Sequence, residues 1–415
     1  MTVPSDITTA GLGLHGKVRP SVTVLAGFAP AATLAVARTL LLADPALILV
    51  RHDLTGVLQG QVQRVVRDGT QLLEDVTVEL VHGCISCTLR EDVLPTLLRL
   101  SRERPGRDFV LALPEAVEPE ALAAACAGHV AHESLTFDSY VAVVDAATFL
   151  ADLDSSDDLR TRALHASEHD DRSVADVVVR QVEYADTVLL WDSPDHDGFE
   201  SARLATLLRR LAPWATHLHT GRGSTVDCTD LARLLRRTGR HNPEVPGMLG
   251  RALEGFTVGV HEPVEDCGVV SVLFEARRPF HPQRLHDTLQ RVTSPTLRSR
   301  GQCWIASQPD GAIGWESAGG GVTLGTLGYW LAALPAQRWN EATPLRRLAS
   351  NLAWDPVFGD RRTVLAFIGV HMDAPAIVED LTACLLTDDE LADGFAAWTA
   401  QPDPFAGCFP LFEED

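Results

Sequence analysis

The chain is predicted to fold as an α/β domain built on a mostly parallel sheet, followed by a second, smaller α+β domain. Three observations predict this. Short runs of β-forming residues alternate with apolar helical runs as far as about residue 240, the pattern of a sheet covered on both faces. A stretch rich in glycine, proline and acid, 241–268, then interrupts the alternation. Beyond it strands outnumber helices, which indicates a different architecture. The expected division is an N-terminal tail over 1–20, a first domain over 21–240, a linker over 241–268 and a C-terminal domain over 269–408.

The first element is a strand at Val22–Leu25, which runs through Ala26-Gly27-Phe28 into a helix at Leu34–Leu42; strand, phosphate-binding loop and helix share this layout. Further near-continuous apolar runs predict strands at Leu47–Val50, Val76–Val81, Phe109–Leu113, Tyr140–Val144 and Val188–Trp191. Helices are expected between them at Val93–Ser101, Glu118–Ala127, Ser173–Ala185 and Ser201–Leu211. The second unit reads as strands at Val269–Glu275, Cys303–Ala306, Val322–Leu327 and Val364–Gly369, with helices at Pro282–Val292 and Ala374–Leu386. Trp214, Trp304, Trp315 and Trp330 read as core or interdomain packing.

Composition narrows the function classes. At 415 residues the chain exceeds one ordinary core, and 46% of it is apolar. No charge-free apolar run is long enough for a bilayer and the N-terminal stretch lacks a signal-peptide core, so a cytoplasmic protein with no membrane partner is expected. A net charge of −21 argues against nucleic acid, whose phosphates call for basic patches. Positive charge is nearly all arginine, Lys17 being the single lysine. The eight cysteines are mostly scattered and form no disulfide framework, so a close pair reads as metal or redox chemistry first.

That pair is Cys84 and Cys87 in "VHGCISCTLREDVLPTLLRL", Val81–Leu100, placed in a loop between strand and helix. Two thiols three apart can hold a soft divalent ion, zinc favoured, or form a redox disulfide, or be ordinary thiols. They are half of a tetrahedral site, so His82 and His52 are candidate further ligands, with Asp53 and Glu79 beside them. His165 and His169 in "LHASEHDD" read as a surface helix, and "HEPVEDC", His261–Cys267, as a solvated acidic loop.

The segment Gly83-Cys84-Ile85-Ser86-Cys87-Thr88-Leu89-Arg90-Glu91-Asp92 resembles the G-C-x-C-C-T-[LIV]-R-x-D signature of the CobW family of metallochaperone GTPases, with Ser86 replacing the middle cysteine. "VVDAATFL" (Val143–Leu150) and "RQVEYADTVLLW" (Arg180–Trp191) resemble further parts of that family's GTPase domain. "FEARRPFHPQRL" (Phe274–Leu285), "WDPVFGDRRTVLAFIG" (Trp354–Gly369) and "LTACLLTDDEL" (Leu381–Leu391) resemble its C-terminal domain. The resemblance implies a P-loop NTPase-like domain joined to a CobW-type α+β domain, GTP and magnesium as cofactors, and the binding or delivery of zinc or cobalt. It also implies a client metalloprotein or a paralogous GTPase as partner.

The nucleotide motifs depart from that pattern. The family's G-F-x-G-x-G-K-T is Gly27-Phe28-Ala29-Pro30-Ala31-Ala32-Thr33-Leu34 here. Pro30 lacks an amide donor, the alanines crowd the cradle, Thr33 stands at the lysine position and Leu34 at the magnesium-binding hydroxyl. Gly27 and Thr33 are what remains of the loop. The N-K-x-D guanine-reading motif becomes Trp191-Asp192-Ser193-Pro194, and N-D-x-x-E becomes His52-Asp53-Leu54-Thr55-Gly56. The family's E-T-S-G-L-x-[DE]-P becomes Ala112-Leu113-Pro114-Glu115-Ala116-Val117-Glu118-Pro119. The expectation is a metal-homeostasis protein of CobW type, a pseudo-GTPase binding zinc at Cys84/Cys87 or docking on a partner. Two alternatives stand beside it: an active GTPase with an unconventional loop, and a thiol-redox protein.

Overall fold

The computed structural model describes residues 19–127, 130–192, 197–220 and 227–409. Lys17 with most of the N-terminal tail, and Ser193-Pro194 of the guanine-reading segment, lie outside the described residues.

The first domain is built on eight strands in the order β4-β3-β2-β5-β1-β6-β7-β8. They are β1 (Ser21–Ala26), β2 (Ile48–Asp53), β3 (Gln61–Arg67), β4 (Leu72–Glu79), β5 (Phe109–Ala112), β6 (Thr136–Asp145), β7 (Thr187–Trp191) and β8 (Thr216–Thr220). β2, β5, β1, β6, β7 and β8 run parallel, while β3 and β4 form an antiparallel extension. β1 shows why the sheet is buried on both sides: Val22 and Val24 enter one core cluster and Leu25 the opposite one, as a period of two requires. One face is covered by α1 (Pro30–Ala43); the other is covered by α2 (Leu94–Glu103) and α3 (Pro119–Cys126). The short α4 (Phe149–Leu153), α5 (Val174–Glu183) and α6 (Gly198–Leu211) pack under β6 and β7, and α7 (Cys228–Leu235) joins α1.

The second domain is a six-stranded antiparallel sheet in the order β13-β12-β11-β14-β10-β9. Its strands are β9 (Glu262–Asp266), β10 (Val269–Ala276), β11 (Arg298–Cys303), β12 (Gly311–Ala318), β13 (Gly321–Tyr329) and β14 (Thr363–Val370). α8 (Pro282–Thr293) and, after the exposed α9 (Pro344–Leu352), α10 (Ala374–Ala383) cover one face. The other face meets the first domain: Val269, Leu297, Ala318 and Ile368 share a core cluster with Val177, Val178 and Leu207. β9 lies inside the stretch that composition marks as linker and pairs with β10. Among the described residues no helix is long and apolar enough to cross a membrane.

Charge crosses this junction with the apolar surface. Glu183, at the end of α5, accepts from Arg298 Nε and Nη2 at 2.8 Å each and also from Arg300, with all three side chains at most 1% exposed. Glu316 accepts from Arg298 and from Arg180 at 2.8 and 2.7 Å. Trp304, Trp315 and Trp330 are buried in the second domain, as expected.

A local device in this domain yields a pH prediction. Thr387 and Glu390 form a capping box, and Glu390 also takes a two-pronged bond from Arg284 at 2.8 and 2.7 Å. The Arg284 guanidinium first, with the Thr387 amide, holds the Glu390 carboxyl down at about 2. A depressed carboxyl stabilises the fold above its ordinary range near 4.5 and loses that contribution as pH falls towards 2. Glu390→Gln keeps the cap but not the ion pair. Its urea midpoint is expected to lie below that of the native chain at pH 7, with the gap closing as pH falls through 4; a pH-independent gap contradicts this.

Candidate functional site

β1, β5 and β2 end at the same edge of the sheet, and the chain turns from each of them around one cleft of about 210 Å³. After β1 the turn is Gly27-Phe28-Ala29, and α1 begins at Pro30 with Ala29 as its N-cap. The stretch that would form an open phosphate cradle is therefore the first helical turn. The Thr33 amide donates to Ala29 O at 3.1 Å and its hydroxyl donates to the same oxygen at 3.2 Å, leaving Thr33 3% exposed. Gly27 is closed in by the fold, since a Cβ there would sit 2.5 Å from Val143 O and 2.7 Å from Thr33 Oγ1.

These residues do not fit a magnesium-bound nucleoside triphosphate. A P-loop presents several free amides, a lysine and a hydroxyl to the phosphates and metal. Here Pro30 has no amide, Thr33 spends both donors on Ala29, and Leu34 is apolar. Asp192, in the guanine-reading segment, is held by Ser201 at 2.5 Å and His219 at 3.1 Å.

The cleft wall carries two imidazoles. His52, on β2 and 5% exposed, lies with Nε2 2.6 Å from Asp92 Oδ2, and Arg64 bonds the other oxygen of Asp92. Arg64 and Arg99 share Glu74, so a chain of alternating charges fixes Asp92 and through it the ring of His52. Among the described residues His52 Nδ1 is buried without a partner, and so is Nδ1 of His165, which lines the same cleft from a loop rather than from a helix. A carboxylate behind an imidazole with its second nitrogen free is the arrangement that orients histidine ligands in metal sites. Sequence reasoning singled out His52 but passed over His165; the helical spacing of His165 and His169 pointed away from the cleft.

Cys84 and Cys87 lie on the adjacent loop. Gly83 is required there, because a Cβ would come within 2.0 Å of Val57 O. Cys84 caps the turn Ile85–Cys87, its sulfur accepting from the Cys87 amide at 3.3 Å, and the chain continues through a π-helical turn, Thr88–Val93, into α2. The hydrogen bond with the Cys84 sulfur, then burial, then Glu91 push the Cys87 thiol up to about 11. The structure thus brings Cys84, Cys87 and Glu91 together. It leaves His82 exposed and commits His52 to Asp92. Among the described residues no three or more His, Cys, Asp or Glu side chains form a ready metal cluster. Two thiols with a carboxylate suit zinc in donor type, and a closed tetrahedral site needs a further ligand.

Comparison with known proteins matches residues 37–217 to the CobW/HypB/UreG nucleotide-binding domain and residues 269–385 to the cobalamin synthesis protein CobW C-terminal domain. The first match starts within α1, beyond Gly27–Leu34. The chain is 33% identical over 374 residues to the zinc chaperone Rv0106 of Mycobacterium tuberculosis, covering 86% of each. It is 31% identical over 381 residues to the zinc-regulated GTPase metalloprotein activator 1 of Dictyostelium discoideum, covering 86% of this chain and 75% of that one. Zn(II)-bound YjiA GTPase from E. coli aligns at 15% identity and a TM-score of 0.37, over 89% of this chain and 100% of that one.

Proposed function

The chain belongs to the CobW/HypB/UreG nucleotide-binding family and carries the CobW C-terminal domain behind it, and from that premise we propose that it handles zinc without turning over GTP. The observation that carries this reading is the first turn of α1, whose Thr33 amide and hydroxyl are both bound to Ala29 where the family's loop would face phosphate. The loss of the loop lysine, the magnesium hydroxyl and the guanine-reading residues supports it, as does a family match that begins past the loop. The fold is kept and the nucleotide chemistry is given up.

Zinc in this reading is cargo. Cys84 and Cys87 supply two thiolates, and the remaining positions are left for ligands that exchange on delivery. Relatives described as a zinc chaperone and as a zinc-regulated metalloprotein activator support a client metalloprotein as recipient.

The test is purification without chelator, followed by metal analysis and nucleotide extraction from one sample and a calorimetric GTP titration with magnesium. Zinc without guanine nucleotide, and no saturable heat with GTP, is expected. Magnesium-dependent GTP binding in the micromolar range overturns the reading and restores the GTPase alternative.

A further inference from the structure

The opposite edge of the first sheet carries a second cleft, of about 390 Å³, where β7 and β8 begin and the segment 240–256 crosses towards the second domain. Its notable residue is Arg251, 6% exposed. Arg251 Nε donates to Thr257 O at 3.2 Å, and its guanidinium lies 3.9 Å from the centre of the Trp214 ring and 5.4 Å from that of Phe256. Among the described residues no carboxylate lies within ion-pairing distance of it. Burial first, and then Arg300, push this guanidinium down to about 10.

Among the described residues no carboxylate near the cleft forms an ion pair with it. Glu183 is taken by Arg298 and Arg300. Asp186 accepts from the Tyr140 amide at 2.8 Å and faces His241 at 3.3 Å. Glu120 lies beside Gly247, where burial raises its carboxyl against the opposing charge of Arg180. Among the described residues the buried charges of this junction are four cations, Arg210, Arg251, Arg298 and Arg300, and two anions, Glu183 and Glu316, with Arg210 paired to the exposed Glu262. Arg240, which also lines the cleft, donates to Thr187 Oγ1 and Leu234 O at 3.0 and 2.8 Å and likewise meets no carboxylate among the described residues. Glu183 is the carboxylate whose charge reaches Arg251, and it is already bonded to Arg298 and Arg300. A buried cation with no ion pair of its own is costly, and a ligand that brings one negative charge lowers that cost. Tyr184, Trp214, Met248 and Phe256 give the wall an aromatic and apolar part that suits a flat organic body, beside polar lining from Asp186, Thr216, His241 and Asn242.

We propose that this cleft binds a small organic anion, a carboxylate or phosphate group seated on Arg251 with a flat apolar body against Tyr184, Met248 and Phe256. The site is separate from Cys84 and Cys87, which lie at the other end of the parallel strands, and it stands or falls independently of the zinc reading.

Calorimetric titration of the full chain with benzoate and with phenyl phosphate, which share a ring and differ in the anion, tests this. Benzamide is the neutral control. At least one of the two anions is expected to saturate at about one per chain, and the arm that binds tighter names the anion. Arg251→Met is expected to weaken that binding by about tenfold or more. Asn242→Asp serves as a second variant: its side chain keeps the turn bond to the Glu244 amide while adding negative charge at the mouth, and it should weaken binding in the same direction. The proposal is overturned if neither anion saturates, if benzamide binds as tightly, or if either variant, folded by circular dichroism, binds like the native chain.

Discussion

Replacing Glu183 with alanine is expected to destabilise the protein by about 3–5 kcal/mol, because it removes one partner of a buried ion-pair network and leaves the other partners charged. Burial alone would raise the Glu183 carboxyl, but Arg298 and Arg300 outweigh it and hold the group below its ordinary range. With the carboxylate gone, Arg298 keeps Glu316, whereas Arg300 keeps only the carbonyl oxygens of Val258 and Arg210. Urea unfolding followed by tryptophan fluorescence checks this, since Trp214 lies 5.2 Å under Arg300. A quadruple variant, Glu183→Met with Arg298→Met, Arg300→Leu and Glu316→Gln, is expected to recover most of the loss, as buried charges replaced together often do. A midpoint unchanged in Glu183→Ala contradicts the account.

The second large effect concerns metal. The Cys84→Ser/Cys87→Ser double variant is expected to lose zinc, with affinity in a chelator competition falling by about a hundredfold or more, since hydroxyls are poor ligands for this ion. Cys408→Ser, which alters an exposed thiol, and Cys267→Ser, on the turn after β9, should hold zinc like the native chain. Zinc stoichiometry unchanged in the double variant contradicts the assignment of these two sulfurs.

The parallel core of the fold was legible because its strands are uninterrupted apolar runs. What escaped the sequence has physical reasons. β3, "QVQRVVR", belongs to the antiparallel extension, where one side is wet and polar residues dilute the run. β8, "THLHT", is short and polar, and takes its register from β7. β12, "GAIGWESA", is diluted by two glycines, yet all eight residues are buried, Ile313 and Trp315 in the second domain's own core and Ala318 at the domain junction. The segment expected at Cys303–Ala306 is a strand only up to Cys303, and β11 runs back through Arg298 and Arg300, charges that a strand reading avoids and that Glu183 accounts for.

The candidate site was legible where chemistry depends on spacing and illegible where it depends on distance along the chain. Cys84 and Cys87 announce themselves three residues apart. The closed loop could be anticipated from Pro30 and the missing lysine. Nothing in the sequence links His52 to Asp92, forty positions on, or places His165 across the same cleft. That Arg251 is buried with no ion pair of its own among the described residues is visible only once the fold has set it against Trp214 and Phe256.

The Glu183 network has a consequence for how this protein can diversify. A recombination event falling between 241 and 268 would join a first domain bearing a buried carboxylate to a second domain that need not carry Arg298 and Arg300, or the reverse. Either chimera strands charge in a sealed junction. A C-terminal half grafted from another chain is therefore expected to fold on this first domain only where it brings both arginines to meet Glu183.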